Sequence, residues 1–322
     1  MTRVATAGNY QSALLNLMTA QSRAELAQER MGSEKIATDM AGYGRGAEQL
    51  TSLTSTQARL EGFIGAGESA AARLSAQDLA MGRIYEAGTG AREAIANGLA
   101  AGSITNLMTE LGLHYQNVQG GLNAEHQGSY LFSGGRGDVA PATAKTMADL
   151  AAAPSTASTF ANDSLKQKSR IDENTMVETG FLADEIGGPL TEVFRNMQAY
   201  QNGTPVIIDG VTYTPTGVGT LTGQPGAGVT AFLNAQMTQL DKANQGVTNQ
   251  NAKNGLVQNH VESALEAHES QKIALDKMML KKTGYDPAQA VTDLQMAQVA
   301  IQASAQVISS LRESSLLNLL RT

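Results

Sequence analysis

Apolar residues recur at helical spacing over two long stretches, from about Tyr10 to Phe132 and from about Phe232 to Leu320, with almost no proline in either. The pattern is clearest in the second. Leu233, Met237, Leu240, Asn244, Val247, Asn251, Asn254, Val257, Val261, Leu265, His268, Lys272, Leu275 and Met279 trace seven-residue repeats, the seam spacing of a coiled coil. Polar Asn and Lys at seam positions weaken such a helix and help to fix its register. Thr283-Gly-Tyr-Asp-Pro287 breaks the pattern, and a last helix runs through Val291, Leu294, Ala297, Ile301, Ala305, Ile308 and Leu311 to an apolar Leu316-Leu-Asn-Leu-Leu320 end.

The N-terminal stretch predicts three helices. The first covers Tyr10 to Met31, with Tyr10, Leu14, Leu17, Gln21, Ala24, Gln28 and Met31 as its seam. The second covers about Ala47 to Ala96, striped by Leu50, Leu53, Leu60, Ile64, Ala71, Leu74, Met81 and Tyr85. Gly62, Gly65, Gly67, Gly82, Gly88 and Gly90 interrupt it and read as close helix approaches or local bends. The third runs from about Ser103, a possible N-cap, to Ser129.

Between the helical stretches the character changes. From Ser133-Gly-Gly-Arg-Gly-Asp138 to about Thr175 the chain reads as loop, and Val177 to Tyr200 as a helix interrupted at Gly187-Gly188-Pro189. Val206-Ile-Ile-Asp-Gly-Val-Thr-Tyr213 predicts a β-hairpin, since Asp-Gly between β-branched runs favours a two-residue type I′ turn. The fold class expected is mainly α: an elongated antiparallel helical bundle or coiled coil built from both chain ends, with a small α+β insert domain.

Composition narrows the function. Only 4% of the 322 residues are aromatic and none is Trp, which suits helix seams better than a large globular core. A net charge of −7 with a single adjacent basic pair, Lys281-Lys282, gives nucleic acid or an anionic membrane surface nothing to hold. No stretch approaches the length of a membrane span, and the first residues lack the apolar core of a cleavable export signal. With no Cys, a thiolate metal site or thiol nucleophile is excluded. His114, His126, His260 and His268 show no metal-ligand spacing; the last two read as solvated or at a seam edge. Gly42-x-Gly44-x-Gly46 follows no strand and reads as a helix connection, not a phosphate loop. Arg136-Gly-Asp138 and the triplets at Asn162 and Asn202 read as coincidences. No Ser sits in a nucleophile elbow, so neither catalysis nor a cofactor is expected.

Three stretches resemble the flagellin family, and within it most closely the hook–filament junction proteins. They are Gln21-Ser-Arg…Glu29-Arg-Met-Gly-Ser-Glu-Lys-Ile36, then Gly128-Ser-Tyr-Leu-Phe-Ser-Gly134, and finally Asp286-Pro-Ala-Gln-Ala-Val-Thr-Asp-Leu-Gln295 with Ile301-Gln-Ala-Ser304 and Ser315-Leu-Leu-Asn-Leu-Leu320. The first departs from the family pattern at Ala37-Thr-Asp-Met-Ala-Gly-Tyr43. The resemblance implies a structural subunit of the bacterial flagellum, extracellular and exported without a cleaved signal peptide. Its implied partners are further copies of itself in a ring, a neighbouring hook-associated protein and flagellin, an export chaperone and the type III export apparatus. It implies five regions: 1–46 as an N-terminal assembly helix and loop, 47–134 and 231–284 as the two arms of a helical body, 135–230 as the insert, and 285–322 as a C-terminal assembly helix. Tyr10, Leu14, Leu17, Ile301, Ile308, Leu311, Leu316, Leu317, Leu319 and Leu320 are the expected assembly contacts. Ordering the last helix costs backbone entropy at every residue, and its terminal leucines offset that only against a surface beyond a completed body. Three other readings stand beside this one: a filament flagellin, a cell-wall hydrolase and a surface adhesin. The hydrolase is poorly served, because the insert contains no His.

Overall fold

The computed structural model describes the backbone of residues 2–319 and the side chains of residues 8–313. Among the described residues the fold is mainly α. Its helices are α1 (Thr2–Ser33), α2 (Ala47–Ala100), α3 (Leu107–Leu122), α4 (Met147–Ala152), α5 (Ala183–Gln201), α6 (Ala227–Thr283) and α7 (Pro287–Leu319). Three separate antiparallel hairpins lie between them: β1 (Glu125–His126) with β2 (Ser129–Tyr130), β3 (Lys168–Arg170) with β4 (Met176–Glu178), and β5 (Val206–Ile208) with β6 (Val211–Tyr213). The chain forms two compact units. One joins the residues before Glu61 to those after Glu269, and the other is Glu61–Glu269.

The larger unit is built on the antiparallel pairing of α2 with α6. The order of contacts fixes the direction: Leu265 lies against Gly67, the Asn254 amide donates to the Leu74 carbonyl at 2.9 Å, and the Asn244 amide donates to the Thr89 hydroxyl at 3.4 Å. Every α6 position from Leu233 to His268 named in the heptad pattern is buried or half-buried, so the periodicity places this helix correctly. Gly67 and Gly88 permit the approach: a Cβ at Gly67 would meet Leu265 Cδ2 at 2.7 Å, and one at Gly88 would meet Asn244 Oδ1 at 2.1 Å. Gly62, Gly65 and Gly82 have open space instead and serve no close contact. Tyr85 also leaves the expected stripe and is exposed, its place taken by Ile84 and Ala87.

Against this pair, α3 and α5 complete one continuous apolar core from Ala70 to Val261. Tyr200 stacks on Phe232 with ring centroids 3.9 Å apart, and the Tyr115 hydroxyl donates to the Ala144 carbonyl at 2.7 Å. Burial pushes the Tyr115 phenol far above its ordinary pKa, so it remains a donor at any physiological pH. The interruption expected at Gly187-Gly188-Pro189 does not occur; α5 continues through it. Gly187 packs flush on Leu122 (a Cβ would come within 2.6 Å of its Cδ1), and Ile186, Leu190, Phe194 and Met197 are buried. Tertiary burial outweighs the weak propensity of those three residues.

Three other expectations change. The third helix begins at Leu107 after Asn106, and Ser103 caps nothing there; its hydroxyl meets Thr105. The segment expected to be loop holds α4 and the β3–β4 hairpin. A capping box starts α4, with the Thr146 hydroxyl accepting from the Asp149 N–H and the Asp149 carboxylate accepting from the Thr146 N–H. His268 is not solvated: Nε2 donates to the Ile171 carbonyl at 2.8 Å, and the ring stacks on Phe63.

The β5–β6 hairpin has the expected turn, with positive φ at both Asp209 (45°) and Gly210 (81°). Asp209 anchors it to α6 by accepting from Lys242 Nζ and Gln239 Nε2, each at 2.8 Å. Hydrogen bonding from Lys242, then from Gln239, holds its carboxyl below the ordinary range. A depressed folded-state pKa gives stability that is present above the unfolded value, about 4, and lost as pH falls through the folded one. Asp209→Asn is therefore expected to lower the melting temperature slightly at neutral pH and to make no difference near pH 2. Paired thermal melts at the two pH values check this.

Candidate assembly surface

The smaller unit is organised differently from the larger one. α1 and α7 pack along each other, and the residues they hide are small. Ala13, Ala20 and Ala27 on α1 recur every seven residues and are buried, as are Ala290 and Ala297 on α7. Leu17 and Ala24 on α1, and Leu294, Ile301, Ser304, Ile308 and Leu311 on α7, are half-buried at the intervening positions. Alanine seams let helix backbones come close but bury little apolar area per residue, since the hydrophobic gain scales with area.

Many of the larger apolar side chains of these helices face outward. On α1, Leu15 is 61% exposed and Met18 58%, and with Leu14 and Leu26 they occupy the side opposite the alanines. On α7, Val291, Met296, Val299 and Val307 are exposed, with Val299 at 64%. Among the described residues, most of the exposed large hydrophobic side chains lie in this unit, and nearly all of the large buried ones lie in the other.

A clasp joins the end of α1 to the start of α7. Glu34, at φ 55°, ends α1, and its carbonyl accepts from the Tyr285 N–H at 2.9 Å. The Ile36 N–H donates to the Thr283 carbonyl at 2.8 Å. Arg30 lies over the Tyr285 ring, 4.7 Å from its centroid, and its Nε donates to the Ile36 carbonyl at 3.0 Å. The Tyr285 hydroxyl donates to Asp293 at 2.5 Å, which raises the phenol's pKa. Asp286 starts α7 by accepting from the Ala288 N–H at 2.9 Å, and Pro287 takes the first helical position, where no N–H is needed. Since α1 ends and α7 begins at this clasp, the two helices run antiparallel.

The structure divides the expected assembly residues. Tyr10 and Leu14 are exposed on α1, while Leu17, Ile301, Ile308 and Leu311 are half-buried. The side chains of Leu316, Leu317 and Leu319, and all of Leu320, lie outside the described residues. The α1 seam predicted through Tyr10, Leu14, Gln21, Gln28 and Met31 is displaced: only Leu17 and Ala24 of that set face inward. The largest residues suggested that register, whereas close packing with α7 selects the alanines. On α7 the offset is smaller, with Ala290 and Ser304 inward where Val291 and Ala305 were expected. The seven-residue recurrence of Ala13, Ala20 and Ala27 was the signal that could have given the true seam. Among the described residues no three His, Asp or Glu side chains gather as a metal site would require.

Among the described residues the protein is mainly α, with an exposed arm built from both ends of the chain. Residues 237–320 match the family model of the bacterial flagellin C-terminal helical region. A solved structure assigned as a flagellar hook-associated protein of Vibrio parahaemolyticus is similar over 76% of this chain and 98% of its own, with a TM-score of 0.58 and 18% identity. The FlgL protein of Bacillus cereus is similar over 71% of this chain and 99% of its own, with a TM-score of 0.53 and 14% identity. None of the curated proteins matches by sequence. The likeness to flagellins read from the sequence thus holds in the C-terminal arm at the level of the family model, and over most of the chain at the level of the fold.

Proposed function

We propose that this chain is a structural subunit of the bacterial flagellum, located outside the cell, that forms the junction between hook and filament. The observation that carries the reading is the inversion in the smaller unit, where alanines are hidden and Leu14, Leu15, Met18, Leu26, Met296 and Val299 are displayed. A surface of that kind is completed by other subunits. The neighbours are further copies in a ring, together with a hook-associated protein on one side and flagellin on the other. Delivery is by the type III export apparatus with an export chaperone, and no signal peptide is cleaved. The names of the two similar structures and the C-terminal match support the flagellar setting.

The deciding experiment is electron microscopy of cells lacking the protein, which are expected to carry hooks without filaments. Purified protein added to isolated hook ends is expected to add a short ring. Long filaments grown from the pure protein would instead make it a filament flagellin. Limited proteolysis of the dilute monomer is expected to remove α1 and α7 first and to leave 61–269 resistant, because an alanine seam holds the arms weakly. Arms as resistant as the larger unit would contradict ordering on assembly.

A further inference from the structure

Away from the assembly arm, the larger unit holds a polar cavity of about 240 Å³. Its walls include Arg73 of α2, His126 and Ser129 of the β1–β2 hairpin, and Lys168, Ser169 and Thr179 of the β3–β4 region. No carboxylate lines it. Lys168 lies opposite Glu178 in the strand register, but the Glu178 carboxylate sits 4.0 Å from Lys166 Nζ, and Lys166 pairs with Glu185 at 2.8 Å. One nitrogen of the Arg73 guanidinium donates to the Leu131 carbonyl at 2.8 Å. Its Nε is buried without an acceptor, as is Nε2 of His126. Burial lowers the Arg73 pKa, and no acidic neighbour among the described residues offsets that effect. Tying down Leu131 needs only a neutral donor, so the charge has no structural task here. A half-buried cation without a counter-charge, beside a second cation and a hydroxyl pair (Ser169 and Thr179, 3.3 Å apart), is the donor set of an anion site.

We propose that this cavity binds a small oxyanion, a phosphate or a carboxylate, held chiefly by Arg73 with Lys168 as the second charge. The planar guanidinium suits two-point contact with either group, and the hydroxyls and His126 supply further donors. The proposal is independent of the flagellar reading.

Isothermal titration of the full-length protein with inorganic phosphate, and separately with succinate, at constant ionic strength tests it. Saturable one-site binding of at least one of them is expected, with chloride giving none. At about ten times the dissociation constant the ligand is expected to raise the melting temperature by about 3–5 °C. Arg73→Gln is expected to abolish binding, and Lys168→Gln, at an exposed position, to weaken it about two- to fivefold. The variants also report the stabilisation that phosphate gives any protein by exclusion from its surface. If Arg73→Gln does not fold, Lys168→Gln decides alone. No saturable binding by the wild type, or binding unchanged in the folded variants, overturns the proposal.

Discussion

Val261→Asp is expected to abolish cooperative folding of the larger unit. Val261 is fully buried on α6, between the Asn254–Leu74 hydrogen bond and the Leu265–Gly67 contact. An unpaired charge at such a place costs about 4–5 kcal/mol or more, comparable with the whole stability of many domains. Val261→Ala removes only methyl groups and is expected to cost about 2 kcal/mol. Leu265→Asp, at a half-buried site, should fall between them. Urea unfolding followed by circular dichroism gives all three values. A Val261→Asp protein that melts like the wild type would remove the α2–α6 seam from the account of stability.

The second large effect concerns assembly without loss of fold. Leu15→Glu with Met18→Glu places two charges on the exposed side of α1, opposite its alanines. Exposed substitutions of this kind change monomer stability by about 0.5 kcal/mol or less each. The same charges would be buried against a neighbouring subunit, where they are not tolerated. The double variant is therefore expected to melt normally and to fail completely to add to hook ends in sedimentation and electron microscopy. Deleting residues 314–322 is expected to give the same pair of results. Normal assembly by either variant would show that the altered surface is dispensable; a large fall in melting temperature would place those residues in the monomer's own core.

Legibility of the fold in the sequence followed the strength of the local signal. α6 could be placed because its seam residues are mostly large, and its polar members fall in step with them. The β5–β6 hairpin could be placed because Asp209-Gly210 has few other uses between β-branched runs. α1 misled because its inward residues are alanines, which carry little contrast against neighbouring polar positions, while its outward residues look like a core. α4 was missed although Thr146-Met-Ala-Asp149 spells its capping box; six residues are too few to show a periodicity. The continuity of α5 through Pro189 depends on Leu122 and the core around it, which no local window contains. The oxyanion cavity draws on residues from 69 to 179, brought together only by folding.

Pro287 has a consequence for motion. In a helix interior its ring would remove a hydrogen bond and crowd the preceding turn, and it disfavours helical backbone at Asp286 before it. Pro287 is exposed, so no burial offsets that cost and α6 and α7 remain separate helices. The last helix is a separately articulated piece, coupled to the chain before it through the Tyr285 and Asp286 joint.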